Sequence, residues 1–402
     1  MSGTSDNQAA IIGCGIAGPA AALFLQRAGY APVIYEAAQA HDDYAGLFLN
    51  LGRNGMRVLD ELRVGDTIRR AGFEMRLMRF RSGAGKALGE VGRLGGEPQG
   101  WTVKRGELQR ALREAAARAG IPIRLGHKLA SVQTGRERAL MTFADGSHAG
   151  ARLIVGCDGI HSALRRQVLP DAPSPQYTGL ISFGGFAQDP ETPFVPGVQQ
   201  MMFGRRAFFG YVAHASGEVY WFGNEEVPGS PTRRDMLAIP QDEWERRALA
   251  LYAGEAPQVE RIIRRTVGGI GAFPIYDMPP QPLWHRDNAV LIGDAIHAIS
   301  PNAGQGASLA LEDAMELARC LRDHPAPQQA FAAFQALRSA RVERIVRYSR
   351  TLGARKYARS RVQVFFRDLM MPHFLKAANK DGQTWIYDHR IDWQEPAPAA
   401  GR

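Results

Sequence analysis

The fold is decided by residues 8–36, QAAIIGCGIAGPAAALFLQRAGYAPVIYE. Its first five residues, Gln8 to Ile12, predict a short buried strand, and residues 32–35 predict a second one. Between them the alanine-rich segment from Pro19 through Arg27 predicts a helix that ends near Gly29. A strand, a glycine-rich turn, a helix and a second strand form the unit that binds dinucleotides in α/β proteins.

Each small residue of the turn GCGIAG has a physical role in that unit. Gly13 permits the tight turn, Gly15 lets the backbone approach a pyrophosphate, and Gly18 lets the helix pack closely on the sheet. Ala17 lies in the same predicted cofactor-binding turn, where the N–H groups of the helix N-terminus attract phosphate. Glu36 closes the second strand, where a carboxylate accepts the ribose hydroxyls. The motif predicts nucleotide binding but does not choose FAD over NAD, and a plain glycine-rich turn with a surface Glu36 is the alternative.

A second motif, ARLIVGCDGIHSALRR, occupies residues 151–166. Residues 152–155 predict a buried strand that delivers Asp158 and Gly159 to its carboxyl end, the edge where α/β sheets bind ligands. Ser162 is then placed to start a helix. An isolated Asp-Gly pair is most often a turn, so this motif gains weight only together with the others.

The third motif, AVLIGDAIHAISPNAGQGASLALEDA, occupies residues 289–314. Residues 289–292 predict another buried strand with Asp294 just after its end. A loop then runs from Pro301 to Gly306 and leads into a helix. Three motifs in the order of one fold are far stronger evidence than any of them alone.

The three motifs resemble those of the flavoprotein monooxygenases of the p-hydroxybenzoate hydroxylase type, over roughly residues 8–350. That family carries an N-terminal GxGxxG, a middle DG, and a GD followed by a proline and a GQG helix start. The resemblance implies an α/β fold in which a Rossmann-like FAD-binding domain is interleaved with a mainly β-sheet substrate domain, followed by C-terminal helices.

The resemblance also assigns the division of the chain. It implies a discontinuous FAD-binding domain at 1–73, 102–172 and 275–325, and a substrate-binding sheet domain at 74–101 and 173–274. A C-terminal helical region at 326–395 and a disordered tail at 396–402 complete the expectation.

Tightly bound FAD is the cofactor that the resemblance implies, and it gives roles to residues outside the first turn. Asp294 binds the ribityl or ribose chain, Arg105 reaches the diphosphate, and the backbone at Leu129 touches adenine. Asp158 and Gly159 are linked to both FAD and the reduced nicotinamide, and Pro301 shapes the loop beside the flavin. Backbone N–H groups at the start of the third motif's helix face the pyrimidine end of the flavin and stabilise its negative charge when reduced; they come from Gly304, Gln305 and Gly306.

Between the second and third motifs the sequence changes to alternating and aromatic segments. LISFGGFA (180–187), QQMMFGRRAFFGYVAH (199–214) and EVYWFGNEE (218–226) predict strands of a second sheet. For each aromatic or methionine in them, sheet core is the alternative to a pocket role. His214 and Tyr211 are candidates to assist deprotonation of a phenol, although a lone strand histidine is more often structural. The candidate pocket residues are Met202, Phe209, Tyr211, Tyr220 and Phe222.

The function implied by the resemblance is hydroxylation of an aromatic small molecule by molecular oxygen. NADPH or NADH reduces FAD, and a flavin hydroperoxide transfers oxygen, so the cofactor carries the chemistry. One alternative is a halogenase or double-bond reductase on the same scaffold, although the WxWxIP pattern of tryptophan-type halogenases is missing. The other is a non-catalytic flavin-binding partner. The resemblance leaves a monomer and a homodimer equally open.

Composition narrows the remaining classes. The 402 residues are 45% hydrophobic, enough for a large core, and contain no apolar run long enough to span a membrane. The net charge is +9, but the basic residues are scattered, which does not favour nucleic-acid binding. The three cysteines match no metal or disulfide spacing, so we expect no metal site and a cytoplasmic location. Arginines recur at every third position from Arg338 to Arg350, which predicts a solvated helix face.

Overall fold

A computed structural model describes residues 7–42, 46–354, 360–380 and 383–398. Its strands are β1 (Gln8–Ile12), β2 (Ala31–Tyr35), β3 (Phe48–Gly52), β4 (Phe73–Met75), β5 (Leu77–Ser82), β6 (Ala87–Gly92), β7 (Gly100–Lys104), β8 (Ile123–Arg124), β9 (Leu129–Gln133), β10 (Ala139–Phe143), β11 (His148–Ala151), β12 (Leu153–Gly156), β13 (Gln176–Gln188), β14 (Val198–Phe203), β15 (Phe208–Ala213), β16 (Glu218–Glu226), β17 (Thr266–Asp277), β18 (His285–Arg286) and β19 (Ala289–Leu291). Its helices are α1 (Ala17–Arg27), α2 (Arg53–Glu61), α3 (Gly65–Ala71), α4 (Arg105–Arg118), α5 (Ala163–Val168), α6 (Arg233–Ala238), α7 (Gln241–Leu251), α8 (Pro257–Arg264), α9 (Asp294–His297), α10 (Gly306–Asp323), α11 (Pro327–Ala354), α12 (Arg361–Lys380) and α13 (Thr384–Tyr387).

The first sheet has the strand order β18-β19-β12-β1-β2-β8, and every pair is parallel except β18 with β19. Its central strands β1 and β12 are almost entirely apolar because both faces are covered: β1 contacts helix α1 and also β11 of a further sheet. The predicted strand at residues 8–12 is confirmed, and α1 begins at Ala17 rather than at Pro19. The carboxyl ends of β1, β12 and β19 lie at one edge, so the three sequence motifs meet there.

The second sheet has seven strands in the order β17-β13-β16-β15-β14-β5-β6. Its pairs are antiparallel except β14 with β5, and the predicted strands at 180–187, 199–214 and 218–226 all lie in it. One face packs on α7 and α8, with Phe183, Phe209 and Trp221 in its core. Side chains alternate along each strand, so Tyr220 and Phe222 lie on the other face.

The segment 74–101, expected to join the substrate sheet, is divided between two sheets. Strands β5 and β6 extend the seven-stranded sheet, whereas β4 and β7 pair with β3 in a separate three-stranded sheet. A further antiparallel sheet, β11-β10-β9, flanks the first one. Strand β3 lies beside the aromatic face of the seven-stranded sheet, because the ring of its Phe48 contacts the ring of Tyr220.

The C-terminal helices correct one prediction. Arg338 on α11 is 1% exposed instead of solvated, because α11 packs on α10, whose buried Glu312 and Asp313 require cationic partners. Within the described ranges, no helix has the length and apolar character needed to cross a bilayer. The predicted tail at 396–402 lies outside the described residues from 399 onward.

Candidate cofactor and substrate site

In the turn between β1 and α1, an added Cβ would clash with the backbone at Gly13 and at Gly18 but would meet open space at Gly15. A Cβ on Gly13, whose φ is +104°, would lie 2.5 Å from the carbonyl oxygen of Cys157. A Cβ on Gly18 would lie 2.0 Å from the Gly13 oxygen. At Gly15 the nearest atom to such a Cβ is the Gln109 Nε2, 3.9 Å away. The space beside Gly15 is therefore available to a ligand.

Glu36 braces this turn. Its Oε2 accepts a hydrogen bond from the Cys14 N–H at 2.7 Å, and its Oε1 accepts one from the Ala38 N–H at 2.9 Å. The His127 N–H donates to the Glu36 carbonyl at 2.8 Å, which brings the segment before β9 alongside. The side chain of Leu129 itself is buried in the core, so only its backbone is a candidate for ligand contact.

Asp158 follows β12 at the same edge and carries an unsatisfied oxygen. Its Oδ2 accepts hydrogen bonds from the N–H groups of Ala163 at 2.7 Å and Leu164 at 3.1 Å. Its Oδ1 is buried and has no partner among the described residues. A buried acceptor without a donor is costly, so a ligand donor at this position is favoured. Gly159, with φ +77°, has open space around its Cβ position.

The turn after β19 presents Asp294 to the same space. Gly293 adopts φ +58°, and its N–H donates to the Asp313 Oδ2 at 2.9 Å, which fixes the turn. Asp294 is exposed, and no hydrogen bond or ion pair holds it within the part of the chain described. Its Oδ1 lies 3.9 Å from the Cβ position of Gly306. Pro301 starts a short 3-10 turn that precedes α10.

Two helices begin at this edge without a side-chain cap. Helix α10 runs for 18 residues from Gly306, and its N-cap Gln305 makes no capping bond. Helix α1 has Ile16 at the same position, also without a side-chain cap. The first N–H groups of each helix thus remain available, and the helix dipoles place partial positive charge there. Such termini bind phosphate groups and other anions.

A cluster of buried charged side chains, the ion cluster, joins α10 to α9 and α11. Arg338 Nη1 lies 2.7 Å from the Glu312 Oε2, and Arg338 Nε donates to the Asp313 Oδ1 at 2.8 Å. Arg341 adds a second guanidinium 2.8 Å from Glu312, and His297 Nε2 lies 2.5 Å from the Asp313 Oδ2. Burial alone would raise the pKa of both carboxyl groups, but the facing cations outweigh it and lower each pKa to about 2.

The amide of Asn54 hydrogen bonds both to the ion cluster and to Gln305, one of the predicted flavin contacts. The Nδ2 group of Asn54 donates to the Glu312 Oε1 at 2.7 Å and to the Gln305 Oε1 at 3.0 Å. Gln305 is 1% exposed, so its side chain anchors the loop while its backbone remains at the helix start. Sequence reasoning missed Asn54 and Glu312 as site residues. The available signal was the pair of acids, Glu312 and Asp313, between the apolar residues 309–311 and 314–315.

The aromatic face of the seven-stranded sheet lies next to β3. The Phe48 ring is 5.5 Å from that of Tyr220 and 5.8 Å from that of Phe222, measured between centroids. Burial, aided by Glu218, raises the pKa of Tyr220, so its hydroxyl stays protonated. These rings form an apolar wall on the side of the sheet that faces β3.

Asn50 lies between this apolar wall and the loop of the third sequence motif that precedes α10. Its Cβ lies 3.6 Å from the Cβ position of Gly304, whose φ of +59° ends the 3-10 turn. Its Nδ2 donates to the Gln199 Oε1 on β14 at 3.0 Å, and its Oδ1 accepts from the Thr102 hydroxyl at 2.7 Å. The Gln199 Nε2 is buried and lacks a partner among the residues described. Asn50 and Gln199 therefore place amide groups between the two sheets.

Three expected pocket residues lie on the opposite face. Met202, Phe209 and Tyr211 belong to the core that packs on α7 and α8, and the Phe209 ring lies 5.5 Å from Trp221. The reason is strand alternation, which directs their side chains away from β3. Burial also raises the pKa of Tyr211, which disfavours the phenolate that a base would need. We therefore remove these three from the pocket and retain Tyr220 and Phe222.

Two other expected site residues, His214 and Arg105, are exposed at the surface. His214 is exposed in the turn between β15 and β16, where its ring stacks on Phe73 at 4.8 Å and its Nδ1 lies 2.9 Å from the Ser216 hydroxyl. These local contacts explain His214 as a turn residue. Arg105 begins α4, is exposed, and has no ion pair among the described residues. Its Cδ lies 3.1 Å from the Cβ position of Gly46.

Comparison with known proteins identifies the family. A family model described as FAD binding domain matches residues 6–208 and 269–349. A 6-hydroxynicotinate 3-monooxygenase of Bordetella bronchiseptica is 32% identical over 354 residues, which cover 84% of this chain and 89% of that protein. An FAD-dependent urate hydroxylase of Klebsiella pneumoniae is 29% identical, over 84% of this chain and 88% of that protein.

The fold agrees with a solved structure. Klebsiella pneumoniae HpxO complexed with FAD and uric acid superposes with a TM-score of 0.83 at 24% identity, and the match covers 94% of this chain and 97% of that one. A likeness at this identity establishes the two-sheet architecture. With the family match and the relatives over most of its length, the chain belongs to the FAD-binding-domain family and, within it, to the FAD-dependent aromatic hydroxylases.

Proposed function

We propose that the protein is a monooxygenase that uses FAD, NADPH or NADH, and molecular oxygen to hydroxylate an aromatic or related electron-rich small molecule. The observation that carries the proposal is the convergence of three cofactor motifs at one sheet edge, next to the aromatic wall of Phe48, Tyr220 and Phe222. The relatives named above are, by their names, a 6-hydroxynicotinate 3-monooxygenase and an FAD-dependent urate hydroxylase, which supports a hydroxylase here.

The residues at the edge fit FAD. Bound FAD supplies the electron transfer and the oxygen chemistry. The space at Gly15 and the free N-terminus of α1 suit the pyrophosphate. Arg105, four residues before Gln109 on α4, is proposed to add positive charge there. Glu36 is the proposed ribose acceptor. The unsatisfied Oδ1 of Asp158 and the exposed carboxylate of Asp294 provide acceptors for further hydroxyl groups.

The N-terminus of α10 is the proposed site for the electron-accepting end of the cofactor. Its free N–H groups and positive dipole end stabilise negative charge there, and Pro301, Gly304, Gln305 and Gly306 shape the approach. Asn54 links Gln305, at the start of α10, to Glu312 of the buried ion cluster through two hydrogen bonds. These fixed dipoles need no reorganisation when charge develops.

The proposed substrate lies against the aromatic wall, beside Asn50 and Gln199. The partly exposed rings of Phe48 and Phe222 offer contacts to a flat molecule, and the buried Tyr220 packs against Phe48. Their apolar surface excludes water from the reacting atoms. The amides of Asn50 and Gln199 can hydrogen bond to ring substituents. The Gln199 Nε2 is a buried donor with no acceptor among the described residues, so a substituent of the substrate can accept from it.

Location, assembly and domain division complete the proposal. The division into an FAD-binding domain and a substrate sheet follows the boundaries given above, with β4 and β7 assigned to the small sheet beside β3. We place the protein in the cytoplasm, where reduced nicotinamide cofactors are maintained, as a monomer or a homodimer.

Isotope incorporation tests this function. Purified holoenzyme is supplied with NADPH or NADH, ¹⁸O₂ and a panel of phenolic acids and hydroxylated nitrogen heterocycles, and products are analysed by mass spectrometry. We expect one ¹⁸O atom in the product and nicotinamide oxidation that depends on the aromatic compound. Label from water instead of from oxygen, or no oxidation of either nicotinamide with any compound, would contradict the proposal and favour a halogenase fed by a separate reductase or a non-catalytic flavoprotein.

A further inference from the structure

Helix α12 exposes a continuous apolar face. Its inner side packs on the edge strand β6, where Met371 and Leu375 are buried. Its outer side carries large apolar residues at spacings of three and four, which place them on one face of a helix. They and their exposed fractions are Val362 (64%), Phe365 (64%), Phe366 (54%), Leu369 (59%), Met370 (49%) and Phe374 (41%). A contiguous patch of this kind marks an interaction site.

The sequence of α12 is cationic. It contains four Lys and Arg residues and one acid, Asp368, in a chain of net charge +9. Asp368 already pairs with Arg367 at 2.9 Å. Exposed Lys376 lies seven residues after Leu369, which places it on the same face as the apolar patch. The outer face thus combines large apolar side chains with the cation of Lys376.

We propose that the outer face of α12 docks on the surface of an anionic phospholipid bilayer. An apolar face with phenylalanine and leucine, bordered by lysine and arginine, is the pattern of helices that lie in the plane of a membrane interface. Lipid phosphates neutralise the cations while the rings enter the acyl boundary. A second copy of the chain fits less well, because a twofold interface would bring the cations of two identical faces together.

The position of α12 links this surface to the substrate side of the fold. The buried face of α12 joins a core cluster with Met201, Phe203 and Phe208 on the seven-stranded sheet. Phe208 contacts Phe222, with 5.8 Å between ring centroids. The docked bilayer therefore lies next to the sheet face that carries the proposed pocket. The docking inference itself does not depend on the proposed function.

Vesicle flotation of the full-length holoenzyme tests the inference. Vesicles of phosphatidylcholine with phosphatidylglycerol are compared with vesicles of phosphatidylcholine alone, at low and high salt. We expect binding to the anionic vesicles that weakens with salt. The double variant Phe365→Ser/Phe366→Ser is expected to reduce the partition coefficient at least about tenfold, because each ring contributes apolar burial. Lys376→Glu is expected to weaken binding to the anionic vesicles alone.

The matched control is Leu237→Ser on α6, because Leu237 is 68% exposed and α6 packs on β17, at the opposite edge of the seven-stranded sheet from β6 and α12. It is expected to float like the wild type, and all variants are checked for retained flavin. Absence of wild-type binding to anionic vesicles would overturn the inference, as would equal binding by the double variant and the wild type. A wild-type dimer that the double variant converts to a monomer, without any lipid effect, would overturn it in favour of a second copy.

Discussion

Alanine at Gly15 and at Gly18 separates the ligand role of the glycine turn from its packing role. At Gly18 the added Cβ would lie 2.0 Å from the Gly13 oxygen, whereas ordinary contact begins at 3.4 Å, so α1 must move by about 1.4 Å. At Gly15 the added Cβ meets nothing closer than 3.9 Å, and it points into the space proposed for the pyrophosphate. The two variants therefore have different expected effects.

The magnitudes follow from this geometry. We expect Gly18→Ala to lower the free energy of unfolding of the apoprotein by about 1–3 kcal/mol, the usual cost of overpacking. We expect Gly15→Ala to leave that free energy within about 0.5 kcal/mol of wild type. A methyl group in the pyrophosphate space carries a similar overpacking cost on binding, so the Kd for FAD is expected to rise by a factor of about 5 to 150 in Gly15→Ala.

Two measurements decide the outcome. Chemical denaturation of the apoproteins gives the free energy of unfolding, and quenching of flavin fluorescence gives the Kd for FAD. Gly95→Ala is the control, because its Cβ position is open and it lies in a loop outside the glycine turn, so both values should equal those of wild type. Wild-type FAD affinity in Gly15→Ala would refute the ligand assignment, and wild-type stability in Gly18→Ala would refute the packing argument.

Three further predictions concern the ion cluster and the cofactor edge. Arg338→Met leaves Glu312 and Asp313 buried without their main partner, so denaturation should show a loss of about 3–5 kcal/mol, whereas Arg347→Met at an exposed pair should change little. The pKa values of Glu312 and Asp313, near 2 in the folded state, lie below their ordinary values. The stabilisation is therefore complete above about pH 4.5 and is lost as the pH falls toward 2, and denaturation midpoints that stay constant from pH 5 to pH 3 would contradict it. Asp294→Ala should keep wild-type stability but lose flavin during desalting, and full retention of flavin would remove Asp294 from the proposed site.

The cofactor edge was predictable because its signals are local. Gly13, Asp158 and Asp294 each follow a predicted buried strand, and the carboxyl ends of parallel strands share one edge. A positive φ at Gly13 and at Gly159 matches the residue type that the turns require. Their arrangement therefore follows from strand positions alone, whereas their roles toward FAD stay predictions until binding is measured.

The substrate side was harder to predict because both faces of its sheet are apolar. Alternation separates Phe209 from Tyr220 and Phe222, but it does not say which set faces the helices and which faces β3. That choice depends on α7 and α8, whose packing is a long-range property of the fold. The pattern therefore gave the right sheet and the wrong side for Met202, Phe209 and Tyr211.

The burial of Arg338 on α11 could not be predicted from the sequence for a similar reason. A repeat of charged residues on a helix ordinarily faces solvent. Arg338 is buried because Glu312 and Asp313, which precede it by 26 and 25 residues, lie on the helix that packs against it. No local pattern reveals which charges are paired across two helices.

The most direct test of the central claim is reduction of the bound flavin without oxygen. The yellow holoenzyme is mixed anaerobically with NADPH or NADH, with and without the aromatic panel, and bleaching is followed by stopped-flow absorbance. We predict that one nicotinamide bleaches the flavin and that a matching aromatic ligand accelerates it, which would also name the substrate class. No bleaching by either nicotinamide, in the presence of any ligand, would contradict a single-component hydroxylase.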